Sequence, residues 1–375
     1  VELYNDCSND IWLQLVITFI HIVKSFVYTL DSFSFVDRFA MINLLDKTAV
    51  EKMDEFSFID SIKQKVYRQS SIVKGIGDDG AVFRQTTKDI VTALDTFVEG
   101  IHFTRETTTP DQLGYRVLAA NLSDLAAMGA WPAFYLVSIT IPNKWNEKEL
   151  YEIYEGMNHL ASRYQMDLIG GDTVSGPTFT ISVTVIGFVE REKARYRNLA
   201  KLGDFVFVTG TLGDSVAGFF ILQNPGEYMN QEYFIQRHNQ PTPRIEFARA
   251  LGKIGRIALN DISDGLANEA TEIAEASKVN MILEEDKIPK HPALKQFPTH
   301  LQTKWPLFGG EDFELIGTVS QQDWDIVKQS AKDFNISLTK IGTVTNEEKS
   351  VGQVYLQKHN KLIRLNKDGY IHVRR

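Results

Sequence analysis

Cysteine is nearly absent: the 375-residue chain has one, Cys7. A disulfide framework and a cysteine zinc site are both excluded, and the composition suits a reducing, cytoplasmic compartment. Basic excess is missing too. A formal net charge of −8 leaves no electrostatic footprint for nucleic acid, so no nucleic-acid partner is expected. No GxxxxGKS/T phosphate loop, protein-kinase catalytic loop, HExxH or GxSxG elbow occurs. Low-complexity tracts and short-period repeats are also lacking. What remains, at 43% hydrophobic and 23% charged residues, is a globular composition in a chain long enough for two domains.

The stretch 75–103, GIGDDGAVFRQTTKDIVTALDTFVEGIHF, gathers the first acidic groups. Asp78 and Asp79 share a tight glycine turn, and Asp95 follows an apolar strand. Two carboxylates at ~4 Å repel by about 1 kcal/mol in water and about 4 kcal/mol at a protein-surface dielectric. A chain that crowds them has a cation to place there. Oxygen ligands with little histidine point to Mg²⁺ or Ca²⁺. Gly75-Ile76-Gly77-Asp78-Asp79-Gly80 also spells GxGxxG. That fingerprint needs a strand before it and a helix after it. Residues 69–74 make a poor strand and 81–94 read as a hairpin, so the dinucleotide reading is rejected.

Residues 1–52 differ from the rest. The run 11–30 is apolar enough for a bilayer, but His21 and Lys24 interrupt it. We read the segment as appended ahead of a start at Met53, with a membrane anchor or a packed helix as the other readings. From Met53 onward, helix and strand patterns alternate. Helices are expected over 55–68, 110–128, 147–164, 213–223, 242–253, 265–277 and 321–333. Strands are expected near 133–141, 178–189, 205–209, 281–284, 314–319, 337–343 and 353–357. Strands bunch in pairs, which favours an α+β fold over a doubly wound parallel sheet. The expected division is 53–192 for an N-terminal αβ domain and 193–375 for a C-terminal one.

Four further motifs set acidic residues beside Gly, Asn or Ser: Asn121-Leu122-Ser123-Asp124, Gly170-Gly171-Asp172-Thr173, Asn260-Asp261-Ile262-Ser263-Asp264-Gly265 and Gly309-Gly310-Glu311-Asp312. Each alone has a plainer reading: a solvated helix face for Asp124, a turn for Gly-Gly-Asp, an N-cap for Ser263 or Asp264. Together with the Asp78-Asp79 turn they point to several Mg²⁺ ions on a polyphosphate. His102, past Gly100, is near enough to Asp95 in sequence to stay in play.

With GIGDDGAVF, LDTFVEGIHF, NLSDLAAMGAWPAF, LIGGDTVSGP, GDFVFVTGTLGDSVAG, NDISDGL and FGGEDFEL in this order, the chain resembles the thiamine-monophosphate kinase family, of the superfamily that includes aminoimidazole ribonucleotide synthetase. The match runs from about Met53 to the C-terminus. The resemblance implies ATP-dependent phosphorylation of thiamine monophosphate, with ATP as co-substrate and several Mg²⁺ ions. It implies two αβ domains, the first forming a β-barrel-like interface in a homodimer. By matching positions, Asp79, Asp95, Asp124, Asp172, Asp261 and Asp264 resemble Mg²⁺ ligands, with Leu94 offering its carbonyl where the family often has threonine. Gly171, Asp172, Arg197 and Ser263 resemble ATP contacts. His102, Glu311 and Tyr370 resemble the thiamine-phosphate contacts, and Phe313 replaces a usual tyrosine.

The residue chemistry agrees. A phosphate-monoester acceptor is already nucleophilic, so no general base is expected. Other enzymes of the superfamily and a non-catalytic Mg²⁺–nucleotide module remain the rival readings. Selenophosphate synthetase and hydrogenase maturation factors are disfavoured, because Cys7 lies outside the match and the chain closes on His372-Val373-Arg374-Arg375.

Overall fold

Two sets of strands, six in the first half and seven in the second, lay down two sheets. The structure, a computed structural model, describes residues 72–74, 78, 81–84, 87–346, 351–359 and 361–369. Asp79, Tyr370, the segment 1–52 and the expected helix 55–68 lie outside the described residues. All described residues belong to one compact unit spanning 62–371.

The first half contains β1 (Ile72–Lys74), β2 (Ala81–Arg84), β3 (Lys88–Val98), α1 (Pro110–Ala127), β4 (Trp131–Ile141), α2 (Glu147–Tyr164), β5 (Asp167–Ser175) and β6 (Thr180–Glu190). Its six strands form an open sheet in the order β1-β2-β3-β6-β4-β5. The expected hairpin is present, with Ala81 opposite Thr92 and Arg84 opposite Asp89. A short strand does precede the GIGDDG stretch, against expectation. It pairs antiparallel with β2, so it feeds a hairpin and not a phosphate-binding helix.

β6 alternates cleanly. Ile181, Val183 and Val185 are buried under the helices, and their neighbours on the other face are half-buried. Helix α1 starts with Pro110 in its first turn, and Gln112 Oε1 accepts the Thr109 N–H at 3.1 Å. It is enclosed nearly all round, which is why Leu113, Val117, Leu118, Leu122 and Leu125 can all be buried. Where α1 crosses α2, a Cβ on Gly114 would sit 1.8 Å from the Ile153 carbonyl oxygen, and one on Gly156 1.8 Å from that of Asp111. Two glycines thus let the helices touch backbone to backbone.

The second half contains β7 (Phe205–Thr209), α3 (Asp214–Gln223), α4 (Gln231–Asn239), α5 (Ile245–Ala250), β8 (Ile257–Asp261), α6 (Leu266–Ser277), β9 (Asn280–Glu284), α7 (Thr299–Phe308), β10 (Leu315–Val319), α8 (Trp324–Asp333), β11 (Leu338–Thr345), β12 (Val354–Lys358) and β13 (Lys361–Leu365). Its seven strands run β13-β12-β9-β11-β7-β10-β8. Both sheets are mostly antiparallel with one parallel pair each, β4 with β5 and β9 with β12, as an α+β fold requires. Among the described residues no helix is long and apolar enough to cross a membrane.

Candidate active site

Asp95 sits in the middle of the first sheet's pairing. It lies opposite Val183, whose side chain is buried, so it faces inward toward α1. Its backbone N–H donates to Asn121 Oδ1 at 3.0 Å, and Asn121 Nδ2 donates to the Val117 carbonyl at 2.8 Å. A fully buried amide therefore pins the strand to the helix at Asp95. Leu94 is opposite Thr184 on the other face and is 59% exposed.

The end of β8 brings Asp261 to the same place. Burial lifts its carboxyl to about 7, and the charges of Asp95 and Asp264 push the same way. Ser123 and Arg197 oppose them. Burial lifts Asp95 to about 6. Asp261 Oδ2 is buried with no hydrogen-bond partner. An orphaned carboxylate oxygen facing further carboxylates is a donor set that fits a hard cation.

Behind it stands Glu269, which sequence reasoning missed. Its Oε1 accepts the Asp264 N–H at 3.1 Å and the Ser263 hydroxyl at 3.4 Å, and its Oε2 accepts from Asn260 Nδ2 at 2.5 Å. Burial raises its carboxyl well above the ordinary range, and Glu272 adds to this. Arg197 donates from Nε to Asn260 Oδ1 at 3.0 Å and pairs with Glu272 at 3.1 Å. Its main-chain N–H donates to Asp78 Oδ1 at 2.8 Å. Asp78, Arg197 and the Asn260–Gly265 turn are thus one hydrogen-bonded assembly.

The Gly309–Glu314 loop carries two non-glycine residues in left-handed backbone, Glu311 at φ +64° and Phe313 at φ +49°. Two main-chain bonds hold it there, Glu311 N–H to the Ser263 carbonyl at 2.7 Å and Phe313 N–H to the Ile262 carbonyl at 2.9 Å. Arg116, from α1, is fully buried and donates to Glu311 Oε2 and to the His102 carbonyl. Its guanidinium lies 5.6 Å over the Phe97 ring. His102 Nδ1 accepts the Val98 N–H at 3.0 Å. Two sequence-predicted substrate residues, His102 and Glu311, therefore meet on one arginine. A charged residue in the apolar run LGYRVLAAN was the sequence signal for it.

Two more carboxylates anchor the loop. Asp312 accepts the Gly213 and Ser215 N–H groups at 2.6 and 3.0 Å, at the start of α3, and burial with the Asp214 charge lifts it to about 7. Glu314 pairs with Arg237 at 2.9 Å and with Arg244. His238 is 3.8 Å from Glu311, and burial and the Arg116 charge hold it neutral, well below its usual value.

Asp172 stands apart. The plainer sequence reading makes Gly170-Gly171-Asp172 a turn, yet β5 runs from Asp167 to Ser175 because it pairs with β4 along its length. Gly171 is opposite Val137, and a Cβ there would come within 2.0 Å of the Val137 carbonyl oxygen. Asp172 is opposite Ser138 on the outer face, while Asp95 faces inward from three strands away, roughly 14 Å at the usual strand spacing. Asp124 is half-buried on α1. Among the described residues no three acidic or histidine side chains stand close enough to hold a metal ion by themselves.

Two family models match the chain: "AIR synthase related protein, N-terminal domain" over 77–189 and its C-terminal domain over 201–355. The thiamine-monophosphate kinase of Bacillus subtilis (strain 168) is 46% identical over 327 residues, covering 85% of this chain and 99% of that protein. That of Escherichia coli (strain K12) is 37% identical over 297 residues, covering 78% and 90%. A solved structure described as AaThiL complexed with AMPPCP and TMP is 31% identical, with a TM-score of 0.74 over 87% of this chain and 99% of that one. A hydrogenase maturation protein, HypE, in complex with ATP is 17% identical with a TM-score of 0.63, and shares the fold alone.

Proposed function

The chain belongs to the thiamine-monophosphate kinase family, and we propose that it transfers the γ-phosphoryl group of ATP directly to the phosphate of thiamine monophosphate, in line, without a phosphorylated enzyme. One observation carries the reading: the match spans nearly the whole of the related kinases, and a structure in this family holds AMPPCP and TMP together. Phosphoryl transfer is a matter of positioning and charge neutralisation. The acidic residues of this chain suit that task, and a phosphate-monoester acceptor needs no general base.

Asp95, Asp261 and Asp264 would hold Mg²⁺, joined by Asp79, Asp124, Asp172 and the Leu94 carbonyl. Bound Mg²⁺ would neutralise the charge between two phosphates that otherwise repel. Arg197, Ser263, Gly171 and Asp172 would contact ATP. His102 and Glu311 would bind thiamine monophosphate, with Glu311 facing the thiazolium charge and Tyr370 stacking on the ring.

A homodimer completes the proposal. Leu94, Leu168, Ile169 and Val174 are exposed on the outer face and free edge of the first sheet. An exposed apolar edge strand of this length invites a second copy. Closing two such sheets into a barrel would also bring Asp172 of one copy toward a site that it cannot reach within its own. We place the reaction in the cytoplasm, in keeping with the lone Cys7.

The test is ADP release from Mg-ATP with thiamine monophosphate, free thiamine or aminoimidazole precursors as acceptor. Release only with thiamine monophosphate, reduced about 10²-fold or more by Asp95→Asn, is expected. Tight Mg-ATP binding without turnover on any acceptor would make the chain a nucleotide-binding module. A trapped phosphoenzyme would refute direct transfer.

A further inference from the structure

We propose that a groove at the start of β3 and β4, walled by α5, binds a phosphorylated ligand carrying a flat ring, at a site separate from the aspartates. The groove has a volume of about 740 Å³. Lys88, Lys193, Arg195, Arg249 and Lys253 line it, against Glu190 and Glu246. Glu246 is already paired with Arg163 at 3.0 Å. Cationic charge therefore dominates here, on a chain whose net charge is −8. Lys88 opens β3 and Asp95 is seven residues along it, roughly 23 Å at the usual rise.

Arg195 makes this more than a solvated basic face. It is 3% exposed, and its Nη2 donates to the Leu251 carbonyl at 2.7 Å. Among the described residues no carboxylate pairs with it. Burial alone pushes its guanidinium below the ordinary value. A guanidinium held out of water without an anion is an unfavourable arrangement unless an anion arrives. Gly129 leaves the room for it: a Cβ there would be 3.1 Å from Arg195 Cγ.

The ring follows from the groove's aromatics. Arg249 lies 4.8 Å over the Trp131 ring and Lys88 is 6.0 Å from that of Phe188. Phe334, 43% exposed, also lines the groove. Cations paired with aromatic faces recognise a planar ring and its phosphates together. ADP and thiamine diphosphate share that chemistry, and the experiment separates them.

The full chain is titrated calorimetrically with ADP, thiamine diphosphate and inorganic pyrophosphate, each beside the variant Lys193→Glu/Arg249→Glu. Both side chains are exposed, so the variant keeps the wild-type melting temperature. Two equivalents of ADP or of thiamine diphosphate per chain are expected, one of them weakened by roughly tenfold or more in the variant, with initial-rate kcat and KM unchanged. The probe that shows the second equivalent identifies the source. One equivalent of each, unaffected by the substitutions, overturns the proposal. Pyrophosphate binding in the groove as tightly as either probe overturns the ring contact. Initial rates report the catalytic site separately, so failure here is distinct from failure of the kinase reading.

Discussion

Glu314→Gln isolates the clamp that fixes the Gly309–Glu314 loop. Glu314 is 1% exposed and accepts from Arg244 Nε at 2.6 Å, Arg244 Nη2 at 2.5 Å, Arg237 Nη2 at 2.9 Å and Thr209 Oγ1 at 2.6 Å. The amide keeps the volume but removes the charge and turns two donors toward donors. Removing one partner of a buried ion pair costs about 3–5 kcal/mol, because the other charge is left uncompensated. At about 2 °C per kcal/mol for a chain of this size, the melting temperature falls by about 6–10 °C at pH 7. The two arginines hold the Glu314 carboxyl below its ordinary value of 4.5, even though burial alone would raise it. A depressed carboxyl stabilises fully above its unfolded pKa, and the contribution fades as pH falls through the folded one. The gap between wild type and variant is therefore widest near neutrality and narrows in acid. Melting followed by tryptophan fluorescence from pH 4 to pH 8 measures both. A fall of less than about 2 °C at pH 7, or a gap that grows in acid, would refute the clamp.

Asp312 runs the opposite way. Its folded carboxyl sits at about 7 against an ordinary 3.8, so the folded chain keeps a proton that the unfolded chain has released, and stability falls as pH climbs between those values. Any melting advantage of wild type over Asp312→Asn should therefore shrink from pH 5 to pH 8, and an advantage that widens sinks the assignment. Gly171→Ala drives a methyl into the Val137 carbonyl and should lower the melting temperature by several degrees, from a cost of about 2–3 kcal/mol. An unchanged melt would mean that β5 is not held to β4 as described. Tyr370→Ala should raise the KM for thiamine monophosphate by about tenfold while leaving that for ATP alone, and an unchanged KM would remove the stacking role.

Much of the scaffold was legible because period and punctuation agreed. Thr109 and Pro110 marked the start of α1, alternation marked β4, and a long β-rich run marked β6. β5 was cut short because its glycines signal a turn in any local reading. Only the Val137 carbonyl beside Gly171, a contact set by β4, explains why a strand continues through them. Helix α7 was hidden by its internal Pro306, and α4 by mixed polar and aromatic residues without a clear apolar stripe. For the site, sequence pointed to Asp261, an acid at a strand end beside Asn260, and to Asp95, which it set just past an apolar strand but which lies inside β3 because the pairing with β6 runs on to Val98; the fold brings the two near each other. Arg116 and Glu269 were not legible in that way. Their partners lie 195 and 9 residues off: an arginine inside the apolar run LGYRVLAAN flags Arg116 as unusual, but nothing local names Glu311 as its partner or says that Glu269 will be buried. Asp172 was legible as an acid in a motif, but not as a residue on the other face of the sheet.

The Arg116 bond has a consequence for how the gene can change. Arg116 belongs to the first half of the chain and Glu311 to the second, and no other described residue bonds to both the His102 carbonyl and the Glu311 carboxylate. A hybrid that joins the first half of one relative to the second half of another inherits this junction only if both parents carry it. Where the second-half parent lacks Glu311, the hybrid holds the Arg116 guanidinium as a lone buried charge at the seam. Recombination within such a family should therefore favour crossovers that keep the two positions from the same parent, however cleanly the two sheets divide the sequence.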